Sequence, residues 1–322
     1  MDQGAVPPPP PVIETCYRHP SVETGVHCTR CGRPICTDCM VPAPVGHQCP
    51  ECVKEARQEF HRPAARVGGR PARVGGRPGS GLTVTNALLM IMIAVFGFEM
   101  VVGGPGSLLT GPSASIMVRL GASIGLISPP GGGCLIGIAA GQYWRLFTPI
   151  FLHAGLIHIA FNGYALYIVG NVVEQELGWR RFLAIFFVTG LCASAASFAF
   201  GAYNVPGVGA SGAIYGLFGT FFAYNWRRRE LAFYAARMRS MATLIAINLV
   251  LSFSIGFIDW HAHVGGLIAG IILGLAAEGM RGRAGRTALF VAACVAMLAL
   301  GSVLVVAHTQ TLRAAAGPLM NC

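Results

Sequence analysis

Apolar residues in this chain come in long unbroken blocks, not in the alternation of a half-buried strand or the stripe of a surface helix. Blocks near 82–104, 147–170, 180–200, 207–226, 240–258, 260–279 and 286–307 carry very few charges. Each is about 20 residues long, the length a helix needs to cross a hydrocarbon core of about 30 Å. The pattern predicts seven membrane-spanning helices in an all-α polytopic membrane protein. The first 80 residues are polar and rich in Pro and Arg, without the apolar segment that a secretory signal needs.

Composition sharpens this picture. Of 322 residues, 54% are hydrophobic and only 11% charged, against about a quarter charged in a soluble domain. The net charge of +10 does not imply a nucleic-acid partner, because the bilayer explains where the basic residues lie. Arg62, Arg66, Arg70, Arg73 and Arg77 precede the first block, and Arg180 and Arg181 separate the second from the third. Arg227, Arg228, Arg229, Arg237 and Arg239 separate the fourth from the fifth, and Arg281, Arg283 and Arg286 the sixth from the seventh. The remaining connections carry few basic residues. The positive-inside rule then puts the N-terminus in the cytoplasm and the C-terminus outside a multi-pass protein of the cell membrane.

These signals divide the chain into a disordered tail 1–13, a Cys/His-dense module 14–56, a flexible basic linker 57–81, a membrane domain 82–307 and an external tail 308–322. The linker contains an Arg-Pro-Ala-Arg-Val-Gly-Gly repeat from Arg70 to Gly76, a composition that cannot bury a core. The segment 105–146 is rich in Gly and Pro yet still apolar, so it is expected to pack on the bundle as short interfacial pieces.

Two strings inside the apolar blocks point to chemistry, Gly209-Ala210-Ser211-Gly212 and Ala262-His263-Val264-Gly265-Gly266. Polar side chains at that depth are costly, and function is the default reading of them. Ser211 follows a turn-like stretch and so lies near a helix N-terminus, where free N–H groups favour a developing negative charge. Gly212 and Gly216 on the fourth span, and Gly266, Gly270 and Gly274 on the sixth, form small-xxx-small steps that allow close helix approach. His263 is three residues before Gly266 and shares that face. If the two spans are neighbours, Ser211 and His263 meet, and Tyr215 one turn on can stack beneath the imidazole. The second span adds His153, His158 and Asn162, the last two sharing a helix face and able to donate hydrogen bonds to an oxyanion. A metal site at the two histidines is the weaker alternative, because no carboxylate stands between them.

These motifs resemble the rhomboid family of intramembrane serine proteases. The match comprises Trp144-Arg145, His-x4-His-x3-Asn at His153–Asn162, Gly-x-Ser-Gly at Gly209–Gly212, and Ala-His-x-x-Gly at Ala262–Gly266, in that order over 82–279. The resemblance implies a six-helix rhomboid-like core, here followed by a seventh C-terminal transmembrane helix. It implies a Ser–His dyad, with Ser211 as nucleophile and His263, not neighbouring His261, as general base. His158, Asn162 and the Ser211 N–H would form the oxyanion hole, with Gly209 and His153 in support. It also implies transmembrane protein substrates, cut near the outer face of the bilayer, and no cofactor for catalysis. A non-catalytic receptor on the same scaffold and a transporter are the rival functions. The transporter reading lacks an inverted repeat.

The polar module carries four knuckle pairs, Cys16-x2-His19, Cys28-x2-Cys31, Cys36-x2-Cys39 and Cys49-x2-Cys52. They supply enough ligands for two tetrahedral zinc ions. A disulfide framework is the competing reading, disfavoured in the reducing cytoplasm. The pattern resembles a B-box-type zinc finger. An interleaved pairing sets Cys16, His19, Cys36 and Cys39 on one ion and Cys28, Cys31, Cys49 and Cys52 on the other, and sequential pairing stays open. Closed four-ligand sites are structural, so the module is expected to bind or regulate, with a cytoplasmic protein as its partner.

Overall fold

The computed structural model describes residues 14–43, 45–61, 83–104, 106–128, 133–254, 256, 258–278 and 283–317. The expected tail 1–13, most of the linker 57–81 and the arginines at 62, 66, 70, 73, 77 and 281 lie outside the described residues. The chain divides into two compact units, Met1–Val74 and Gly75–Cys322.

The first unit has little regular structure. Among its described residues the elements are a 3-10 turn (Thr37–Cys39), a two-residue antiparallel pair, β1 (Val41–Pro42) and β2 (His47–Gln48), and helix α1 (Pro50–His61). Pro50 opens α1 at a position where a missing N–H costs nothing. The core is Ile35 together with Cys16, Cys28, Cys36, Cys39, Cys49 and Cys52, all buried. An interior built almost wholly of cysteine cannot supply the apolar burial of an ordinary small domain.

The second unit is helical. After α2 (Val84–Gly103), the short α3 (Ser107–Thr110) and α4 (Ala114–Leu120) lead into turns. Next come α5 (Leu156–Ala165), a π-type stretch Leu166–Gly170 and α6 (Asn171–Leu177), which together run as one helix from Leu156 to Leu177. The rest is α7 (Trp179–Phe200), α8 (Ser211–Trp226), α9 (Ala232–Ser254), α10 (Trp260–Glu278) and α11 (Arg283–Ala316). Among the described residues six helices are long and apolar enough to cross a membrane, and α8 is not one of them.

Helix α8 has only 16 residues, or about 24 Å of rise, shorter than a hydrocarbon core of about 30 Å. Hydropathy predicts a start at 207, but the helix begins at Ser211. The reason is local. Gly207 exchanges backbone hydrogen bonds with Ser123 (2.8 and 2.9 Å), and the Gly209 N–H donates to the Pro149 carbonyl at 2.8 Å. These tertiary bonds hold 207–209 as loop. Gly209 adopts φ +121°, a region that favours glycine. The shortened helix is buried along nearly its whole length.

The second span also differs from the block 147–170. Thr148–Phe151 is a 3-10 turn containing Pro149, and Gly155 turns the chain at φ +115°, where a Cβ would run into the Leu109 carbonyl. The helix can start only after that bend. His153 therefore lies in the connecting loop, while His158 and Asn162 are on α5. At the C-terminus, α11 continues to Ala316, past the expected boundary at 307, and the Arg313 Nε donates to the Ala139 carbonyl at 2.7 Å.

The apolar connection before α5 packs on the bundle. Leu126, Ile138 and Ala139 are buried with Ala195 and Phe198 of α7 and Val305 of α11. The buried Arg145 holds the connection together, donating to the carbonyls of Val118 (2.7 Å) and Ala122 (2.9 Å) and to Gln142 Oε1 (2.6 Å). The Val118 carbonyl also accepts from the Gly121 N–H at 3.2 Å, so the arginine adds a second bond there and supplies a side-chain donor to Ala122.

Helices α8 and α10 meet backbone to backbone. A Cβ on Gly266 would land on the Gly212 carbonyl, and one on Gly270 on the Gly216 carbonyl. The Thr220 hydroxyl donates to the Gly270 carbonyl at 2.9 Å across the same seam. Gly270→Val should therefore force the two helices apart and cost at least about 1–3 kcal/mol, read as a fall in the thermal midpoint of the detergent-solubilised protein. An unchanged midpoint would mean the seam can open freely.

Candidate active site

Ser211 is the first residue of α8, and the turn before it ends in Gly209 and Ala210. The first N–H groups of a helix have no partner within it, so the Ser211 backbone offers a free donor beside its own hydroxyl. His263 sits in the first turn of α10, which Asp259 caps by accepting from the Ala262 N–H at 3.1 Å. Asp259 is itself held by the hydroxyl of Ser197 on α7.

The glycine seam brings these two helix starts together. His263 Nε2 is 2.8 Å from Ser211 Oγ, and the imidazole is buried. The Tyr215 ring stacks on it at 4.2 Å between centroids with an interplanar angle of 11°. His261, by contrast, stacks on Trp260 and lies 3.6 Å from Asp259. On its far side, His263 Nδ1 is 2.8 Å from the hydroxyl of Ser252 on α9.

A second group approaches Ser211 from α5. His158 Nδ1 accepts from the Ala154 N–H at 3.3 Å. A neutral imidazole has one donor and one acceptor nitrogen, so Nε2 carries the proton. That nitrogen faces Gly209, whose absent Cβ would stand 2.7 Å from it and 3.8 Å from Asn162 Nδ2. Any side chain at 209 would clash with the imidazole. The Asn162 amide spends one N–H on the His158 carbonyl at 3.1 Å, leaving the other free.

His153 packs edge-on against His158 at 5.2 Å. Its Nδ1 meets the Phe151 carbonyl at 3.1 Å, and its backbone N–H donates to the buried Glu99 carboxylate of α2 at 3.1 Å. His153 thus supports the His158 ring from the loop. The sequence motifs locate Ser211, His263, Tyr215, His158, Asn162, His153 and Gly209, all gathered here. They miss Ser252, Asp259 and Glu99, which belong to no spacing pattern and reach the site only through tertiary packing.

The ligand candidates of the first unit form two sets. In each, the four ligand atoms lie within 4.8 Å of one another: Cys16, His19, Cys36 and Cys39, and Cys28, Cys31, Cys49 and Cys52. The pairing is interleaved. His19 Nδ1 stands 3.2 Å from Cys36 Sγ and 3.5 Å from Cys39 Sγ, and Cys31 and Cys49 are 3.8 Å apart as free thiols. Tetrahedral thiolate ligands about 2.3 Å from a metal stand at about this separation, whereas disulfide sulfurs lie about 2.05 Å apart. Both sets can hold a metal ion. Burial pushes the Cys16 thiol up, but backbone N–H groups, including that of His19, outweigh it and bring it to about 6. Cys28 is brought to about 6 in the same way, while burial and the neighbouring thiols Cys16 and Cys36 push Cys39 up to about 11.

Comparison with known proteins places the second unit. Residues 140–279 match the family model described as the Rhomboid domain. Over 150 residues, 45% of this chain, it is 42% identical to "Rhomboid protease GluP" of Bacillus subtilis, covering 29% of that protein. It is 36% identical over 141 residues to "Putative rhomboid protease YdcA" of the same organism, covering 70% of it. It is 32% identical over 170 residues to "Rhomboid-like protease 1" of Toxoplasma gondii, covering 54% of that protein. The chain thus spans between under a third and about two thirds of these relatives' lengths, and the cysteine-rich unit and α11 lie outside the family match. The helical unit, with its serine and histidine at the starts of two glycine-joined helices, makes this chain a member of the rhomboid family.

Proposed function

We propose that this chain is an intramembrane serine endopeptidase that cuts transmembrane proteins near the outer face of the membrane. The observation that carries the reading is the 2.8 Å contact between His263 Nε2 and Ser211 Oγ, with the imidazole held flat on Tyr215. Ser211 Oγ attacks the scissile carbonyl while its proton passes to His263 Nε2. The carbonyl oxygen becomes an oxyanion, and His158 Nε2–H, the free Asn162 N–H and the Ser211 N–H converge on it. The intermediate collapses as His263 returns the proton to the leaving amine. A water then opens the acyl-enzyme, with His263 again taking the proton. The shortness of α8 recesses Ser211 below the membrane surface, which suits a substrate bond near the end of its own span.

The orientation rests on the basic segments. Arg180 and Arg181 open α7, and Arg227, Arg228 and Arg229 follow α8. Ser211 lies at the opposite end of α8 from its arginines, so a cytoplasmic N-terminus sets the nucleophile toward the outside.

The cysteine-rich unit binds two zinc ions as structural elements in this reading. Its closed sets of thiolates and one imidazole suit zinc, and such sites supply folding energy rather than catalysis. A cytoplasmic protein is its proposed partner.

Ser211→Ala or His263→Ala should abolish cleavage of a purified transmembrane substrate while leaving insertion and thermal midpoint unchanged. Full cleavage by Ser211→Ala removes the serine mechanism. A fluorophosphonate probe that labels the wild type and not Ser211→Ala separates the protease from a non-catalytic receptor.

If Asn162 donates only in the transition state, Asn162→Ala should lower kcat about 100-fold with little change in KM. An effect confined to KM would make Asn162 a substrate-positioning group.

Metal analysis of the full chain should find two zinc ions, falling to one in Cys36→Ala, and chelation should leave Ser211 labelling intact. Absence of zinc from the wild type would overturn the structural-zinc reading.

A further inference from the structure

Helix α9 turns little of itself inward. Its buried residues are Met241, Ile245 and Ser252, so Ser252 is the one polar side chain among them. A hydroxyl buried in apolar surroundings must find partners. Its oxygen lies 2.7 Å from the Asn248 carbonyl one turn earlier and 2.8 Å from His263 Nδ1.

Proton counting separates the two ways this cluster can be wired. A serine has one proton to give and two lone pairs to receive with. In one wiring, Ser252 donates to Asn248 and accepts from a protonated Nδ1. His263 Nε2 is then bare and accepts the Ser211 proton across 2.8 Å. In the other, Ser252 donates to Nδ1, so Nε2 carries the hydrogen and points it at Ser211. That arrangement gives up the Asn248 bond, leaves the Ser211 proton without this acceptor, and presents a histidine that cannot take a proton. The first wiring satisfies more of the buried groups.

We infer that Ser252 is a positioning residue that fixes His263 in the Nδ1–H tautomer and so keeps Nε2 free as the base; the inference rests on the proteolytic reading above. Ser252 stands where a three-membered catalytic set would have a carboxylate. Asp259, the acidic residue close by, is turned instead toward Ser197, the Ala262 N–H and His261. The hydroxyl orients the ring without bringing a charge into the membrane interior, where an unpaired carboxylate is costly. Because Ser252 is on α9, His263 on α10 and the Ser211 that Nε2 meets on α8, the tautomer depends on three helices keeping their places.

The test is nitrogen-15 magnetic resonance of the detergent-solubilised full chain at neutral pH, with the His263 signal identified by its loss in His263→Asn. The expected result is the Nδ1–H tautomer in the wild type, a mixed tautomer in Ser252→Ala, and recovery in Ser252→Thr, whose hydroxyl can also donate to the carbonyl four residues back. On a transmembrane substrate, Ser252→Ala should lose about 10-fold in kcat with KM nearly unchanged, the loss of about one net hydrogen bond, and Ser252→Thr should regain most of it. An Nε2–H wild type overturns the inference even if the alanine variant fails to fold. So does an alanine variant that changes the tautomer but not kcat, or neither. If no substrate is cut, the protease reading fails, and the wild-type tautomer still decides whether Ser252 orients His263.

Discussion

The backbone contact between α8 and α10 is the constraint on which the rest of the site depends. Lipid offers apolar helices no hydrophobic reason to associate, so close packing and hydrogen bonds between the helices must do it. With Gly266 against the Gly212 carbonyl and Gly270 against that of Gly216, the axes come nearer than side chains of ordinary size permit. Ser211 and His263 stand at the starts of these two helices. Their 2.8 Å contact is therefore a property of the seam more than of either residue.

What surrounds that pair is stiff because buried polar groups hold it from several directions. Arg145 gathers the carbonyls of Val118 and Ala122, Glu99 takes the His153 N–H, and Asp259 with Ser197 secures the start of α10. Each is costly to bury alone and strongly directional once paired. In the proposed reading these contacts would preorganise the donors and the one acceptor that acyl transfer needs as charge develops.

The cysteine-rich unit follows another logic. Its interior is seven residues of which six are cysteine, and interleaved ligand sets tie its first knuckle to its third and its second to its fourth. Interleaving crosses the two halves of the sequence over each other, so neither half can hold its ligand geometry without the other. With metal bound, such crossing would give a unit of this size a cooperativity that its small apolar core cannot provide.

The sequence by itself determined the helical membrane architecture, the order of its spans and most of the residues that meet at Ser211. Those properties are written locally. A long block of apolar residues marks a membrane helix without reference to its neighbours, and the strings Gly209–Gly212 and Ala262–Gly266 are contiguous in the chain. Tertiary structure decided where helices begin and which partners polar groups choose. Hydropathy cannot distinguish apolar loop from apolar helix, so it places the second span before the Gly155 bend and starts α8 four residues early. It took the bonds from Gly207 to Ser123 and from Gly209 to Pro149 to hold that stretch out of the helix. Ser252 was likewise invisible, since a serine in an apolar helix usually bonds its own turn and nothing in its neighbours marks the imidazole that packing brings to it. The knuckle spacing identified every ligand candidate, but proximity in space alone chose between sequential and interleaved sets.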